Sequence, residues 1–132
     1  MFVDASAMVA ILTSEADGDA LSERLASATE RYTSGIAVFE TVAALARVRT
    51  FSIDEARAIV ARFLDLAEIE LQPIGPKESE AALIAFERFG KGRHPAALNL
   101  GDCFAYGCTK VLGVPLLYKG EDFSRTDLGA VL

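Results

Sequence analysis

The chain has 132 residues, 52% of them hydrophobic, and a formal net charge of −6. That length fits one domain over residues 1–132 and excludes a second core, while the composition excludes a disordered segment. The charge excludes a surface that grips nucleic acid by broad phosphate neutralisation, though not a nuclease, because divalent cations on carboxylates reverse the sign of a site locally.

Met1-Phe2-Val3 is a short apolar run that ends at Asp4 and reads as a buried first strand. No basic segment, signal region or cleavage site surrounds it, and no apolar run nears the ~20 residues that span a bilayer, so a cytoplasmic protein with no membrane contact is expected. Helical spacing follows, with Met8, Ile11 and Leu12 on one face. A second helix is predicted from about Asp17 to Ser27, and Tyr32-Thr33-Ser34 reads as a short strand. From Ile36 to about Thr50 the residues Val38, Phe39, Val42, Leu45, Ala46 and Val48 predict a helix with one buried side.

Ser52 caps the next helix, and Glu55, three residues on, completes a capping box. Its core face is Ala56, Ile59, Val60, Phe63, Leu64 and Ala67. Ile69-Glu70-Leu71 reads as a brief strand before Pro73. A helix from about Lys77 to Phe89 is expected to bury Ala82, Leu83, Phe86 and Phe89. Residues Gly90 to Pro95 form the clearest loop. Asp102 then opens a helix that Gly113 stops, and Val114 to Tyr118 is the last strand. Strands alternating with helices imply a mainly parallel sheet covered on both faces, a three-layer α/β/α arrangement. Cys103 and Cys108 lie about 140° apart around one helix, poorly placed to bond, and read as reduced core residues.

Five acids stand out. Asp4 ends a strand, where ligands of open α/β sheets bind, but it could equally cap the following helix. Glu40 is the single acid in an apolar helix, and an unpaired buried carboxylate there is costly; alternatively it sits on a solvated polar edge, paired with Arg47 or another base. Asp102 fits an ordinary helix-starting acid, yet the helix behind it is almost wholly apolar. Glu121 and Asp122 follow the last strand. Clustered carboxylates repel and need protons or cations to coexist. Mg²⁺ or Mn²⁺ takes oxygen ligands and would activate water against a phosphodiester. Competing chemistries are weaker: the single His94 cannot supply a histidine pair, and no phosphate-binding glycine loop or serine elbow is present.

The opening Phe2-Val3-Asp4-Ala5-Ser6-Ala7, the lone helical Glu40, the segment Leu98-Asn99-Leu100-Gly101-Asp102-Cys103-Phe104-Ala105-Tyr106 and the closing Gly113 to Phe123 together resemble a PIN domain. Within that family the chain resembles the VapC toxins of type II toxin–antitoxin pairs, over essentially its whole length. The resemblance implies a Mg²⁺- or Mn²⁺-dependent endoribonuclease, blocked by a VapB-type antitoxin and usually a homodimer. It implies Asp4, Glu40 and Asp102 as the metal-binding core acids, with Ser6 supporting the first.

One departure stands out. Where many PIN domains carry Thr-x-Asp, this chain has Tyr118, Lys119 and Gly120, so the usual fourth acid is missing. Asp122, ahead of Glu121, is the expected substitute, and whether one or two ions bind is left open. Lys91, Arg93, His94, Lys119 and Arg125 are expected to meet RNA, with an ordinary solvated loop as the alternative. Two other functions fit the same fold: a catalytically degenerate interaction module, which the missing acid favours, and an RNA-processing nuclease outside any toxin pair.

Overall fold

The structure, a computed structural model, describes residues 1–128. The chain alternates short strands with helices: β1 (Phe2–Val3), α1 (Ala5–Leu12), α2 (Gly18–Ser27), β2 (Tyr32–Thr33), α3 (Gly35–Val48), α4 (Ile53–Leu66), β3 (Glu70–Leu71), α5 (Pro76–Phe89), α6 (Leu100–Leu112) and β4 (Leu116–Leu117). A 3₁₀ turn at Phe123–Arg125 follows.

The four strands form one sheet in the order β3-β2-β1-β4, and every neighbouring pair is parallel. Strand alternation sends successive side chains to opposite faces. Phe2 and Leu116 therefore pack with α5 and α6 residues such as Ala85 and Cys108. Val3 and Leu117 face the other way, into a cluster with Met8, Leu21 and Leu25 of α1 and α2. Leu45 of α3 and Ala56 and Val60 of α4 make a third cluster. This is the three-layer α/β/α arrangement expected from the strand–helix alternation.

Local signals set most boundaries. The Ser52 hydroxyl accepts from Glu55 N, and the Glu55 carboxylate accepts from Ser52 N, closing the capping box. Gly113 ends α6 at φ +67, a left-handed conformation that glycine adopts without strain. Both cysteines are free and buried. Burial first, then a nearby acid (Asp102 for Cys103, Glu78 for Cys108), pushes each thiol up to about 11, which keeps both unreactive.

Two expected core faces are rotated from their sequence assignment. On α5 the buried residues are Glu78, Ala82, Ala85 and Phe89, while Leu83 is 63% and Phe86 45% exposed. The reason is the close approach of α6: a Cβ on Gly107 would lie 2.7 Å from Glu78 O and 2.9 Å from Ala82 N. Only small side chains fit between helices that near, so the large ones turn outward. On α3 the buried stripe is Ala37, Thr41 and Leu45, leaving Phe39 75% and Val48 56% exposed. Val38, Val42 and Ala46 are half-buried against α4. Among the described residues no helix is long and apolar enough to cross a membrane.

Candidate active site

β1 lies between β2 and β4, so its carboxyl end opens in the middle of the sheet. Asp4 stands there, 4% exposed, with its backbone N–H donating to Leu117 O at 3.0 Å. Its Oδ2 accepts from Ser6 N at 3.0 Å and from Ser6 Oγ at 2.5 Å. Asp4 thus caps α1, and its carboxyl also stands at the carboxyl end of the central strand. The Ser6 hydroxyl in turn accepts from Lys119 N at 3.0 Å. One small side chain therefore ties the first acid to the segment leaving β4.

Glu40 comes from the second turn of α3, whose start is fixed by Ser34 Oγ accepting from Ala37 N at 3.2 Å. Its carboxyl is half-buried and rests against Gly101 at the start of α6. Asp102 sits in the first turn of that helix. Its Oδ2 accepts from Asn99 N at 3.1 Å, and its own N–H donates to Asn99 Oδ1 at 2.9 Å. Asp122, exposed, precedes the 3₁₀ turn.

The electrostatics show that these acids sense one another. Burial raises the Asp4 carboxyl above its ordinary range; the Ser6 hydrogen bonds oppose this, and the charge of Asp122 adds to it. Burial, then repulsion from Asp4 and Asp102, pushes Glu40 up to about 7. Burial pushes Asp102 up to about 6 against the stabilising Asn99 N–H, with Asp4 and Asp122 repelling it further. Among the described residues no basic side chain pairs with Asp4, Glu40, Asp102 or Asp122. Arg47, considered as a base for Glu40, makes no such pair.

Such a donor set, all oxygen, crowded and without a counter-ion, suits a hard divalent cation. Among the described residues no three His, Cys, Asp or Glu side chains are yet drawn closely enough to hold one. Like charges held by separate elements and without a counter-ion repel one another.

The basic residues divide. Lys91 and Arg93 are exposed on the loop before α6, with the Arg93 guanidinium 5.4 Å from the Phe86 ring centre. His94 is half-buried: its Nδ1 accepts from Ala96 N at 3.0 Å and its ring meets Phe89 edge-on at 5.1 Å. Lys119, expected to meet RNA, is instead engaged by acids. Its ammonium hydrogen-bonds Glu15 and lies 3.3 Å from Asp17, because the turn between α1 and α2 brings two acids beside the end of β4. Arg125 is 3.5 Å from Glu121 and donates to Pro95 O at 3.4 Å. Glu121 is thereby turned toward Arg125, whereas the charge of Asp122 reaches Asp4 and Asp102.

Gly120 has a physical reason for not being an acid. Its φ is +101, a region that L side chains avoid. Gly120→Asp is therefore expected to lose about 1–3 kcal/mol of stability in urea denaturation, without a gain in cleavage. Sequence reasoning passed over Gly101 and Asn99, although both lie in the quoted motif; a glycine inside a helix's first turn was the available signal.

A model of the PIN domain family matches residues 1–128. The chain is 44% identical to a VapC ribonuclease of Rhizobium meliloti, over 97% of this chain and 99% of that protein. It is 41% identical to the ribonuclease VapC of Mycolicibacterium smegmatis, over 99% of each. The crystal structure of Mycobacterium tuberculosis VapC20, a sarcin–ricin loop cleaving toxin, matches the fold with a TM-score of 0.71 at 22% identity, covering 93% of this chain and 92% of that one. The chain belongs to the PIN-domain family, among the VapC ribonucleases.

Proposed function

We propose that this chain is the toxin of a type II toxin–antitoxin pair and acts as a Mg²⁺- or Mn²⁺-dependent endoribonuclease. The observation that carries this reading is the gathering of Asp4, Glu40 and Asp102 from three separate elements, with raised proton affinities and no basic partner among the described residues. A bound divalent ion would supply Lewis-acid activation of water and neutralise charge developing on the phosphate. The carboxylates of Asp4, Glu40 and Asp102 would hold it. Asp122 supports the site from its exposed side in place of the acid absent at Gly120. Ser6 orients Asp4 through two hydrogen bonds. Lys91 and Arg93 draw the RNA backbone toward the acids. His94 braces their loop through Ala96 and Phe89.

The relatives' name supports a VapB-type antitoxin that covers the site; association of two copies of the chain is part of the same reading. Two apolar grooves suit such contacts, since exposed apolar patches mark interaction surfaces. One, of about 320 Å³, runs along Leu83, Phe86, Leu100 and Phe104; the other, of about 340 Å³, along Val38, Phe39 and Ile53. The chain works in the cytoplasm on this reading.

Calorimetric titration with Mn²⁺ tests the proposal. Binding is expected in the wild type and is expected to vanish in Asp4→Asn and Asp102→Asn. Binding indifferent to both acids would exclude the assigned site, and no binding at all would favour a degenerate interaction module.

A further inference from the structure

Gly101 occupies a helical position whose backbone any residue could adopt, and glycine is a poorer helix former there than alanine. Its neighbours explain it. A Cβ at Gly101 would lie 2.1 Å from Glu40 Oε2 and 2.4 Å from both Cδ and Oε1. All three atoms belong to the end of one flexible side chain, unlike at Gly107, where the nearest atoms are the backbone of α5. A methyl group at 101 therefore leaves the helices where they are and evicts the Glu40 carboxyl. The segment that carries Asp102 is the same one that makes room for Glu40, and it does so one residue earlier.

We infer that Gly101 is a positioning residue for the metal site: its missing side chain is the seat that holds the Glu40 carboxyl beside Asp4 and Asp102. The inference rests on the reading of these acids as a metal site. Gly101 touches no substrate and acts only through Glu40. Its effect should consequently disappear whenever the side chain at 40 no longer reaches the seat.

The test is a set of variants measured by Mn²⁺ calorimetry together with a crystal structure of Gly101→Ala. Gly101→Ala is expected to bind Mn²⁺ about 10–100-fold more weakly than the wild type, with its thermal midpoint in EDTA no lower. Its structure should show the fold unchanged and the Glu40 carboxyl turned away from residue 101. In a Glu40→Ala background the same substitution should change affinity by less than about twofold. Glu40→Asp, whose carboxyl stops one methylene short of the seat, should bind equally well with or without Gly101→Ala. A Glu40 carboxyl unmoved beside the added methyl, or an equal loss in both backgrounds, would overturn the inference. Wild-type affinity in Gly101→Ala alongside lost binding in Asp4→Asn would overturn it alone, whereas binding indifferent to Asp4 would overturn the metal-site reading beneath it.

Discussion

Asp4→Asn is expected to lose RNA cleavage by roughly 10³-fold or more, the scale of several kcal/mol of charge stabilisation removed from a metal-assisted reaction. The substitution is informative because it separates two jobs held by one side chain. As a cap, Asp4 accepts from Ser6 N and Ser6 Oγ through a single oxygen, and the amide oxygen of asparagine can accept both; asparagine ranks with aspartate at this position. As a ligand, Asp4 supplies a negative charge that asparagine lacks. The thermal midpoint should therefore stay close to wild type while cleavage of a labelled RNA disappears. Asp4→Ala, by contrast, should also cost about 1 kcal/mol through the lost cap. Full cleavage by Asp4→Asn of verified purity would remove this residue from the chemistry.

The second large effect is on stability, and its sign is opposite to that of most acids. Glu40 is raised from an ordinary 4.5 to about 7, and Asp102 from 3.8 to about 6, so the folded chain holds their protons more tightly than the unfolded chain. Their contribution to stability is full below the ordinary values and is lost as pH rises through about 6 to 7. Without metal, the contribution of these groups should fall from pH 5 to pH 8. Glu40→Gln removes one of these raised groups, so at pH 8 in EDTA its midpoint should exceed that of the wild type, with the gap closing near pH 5. Mn²⁺ should reverse the order at pH 8, because ligand binding stabilises only the chain that binds it. Scanning calorimetry with and without Mn²⁺ at both pH values reads all of this. A Glu40→Gln midpoint below wild type in EDTA at pH 8 would mean that the Glu40 charge is favourably compensated.

Much of this site was legible in the residues, and the reasons differ by position. The strand end at Asp4, the capping box at Ser52 and Glu55, and the stop at Gly113 follow from local rules that act within a few residues. Glu40 stood out because an acid beside an apolar stripe lacks an obvious local partner. What could not be read were relations between elements distant in the chain. Leu83 and Phe86 look like core by spacing, but the close approach of α6 at Gly107 puts the small Ala82 and Ala85 on the inward face there. Lys119 looks free beside the last acids, yet Glu15 and Asp17 arrive from the first α–α turn. Gly120 reads as a lost acid, and only its φ of +101 shows why glycine belongs there.

The bridge from Ser6 Oγ to Lys119 N spans 113 positions of sequence, and Phe2 N and Asp4 N bond Pro115 O and Leu117 O beside it. That geometry bears on the timing of synthesis. A nascent chain that has emerged only as far as α5 already carries Asp4 and Glu40 but lacks Asp102, β4 and the clamp on Asp4. Contacts so distant in sequence close late, after their loop entropy has been overcome. If the activity depends on these acids as proposed, it should stay silent on the ribosome until nearly the whole sequence has been translated.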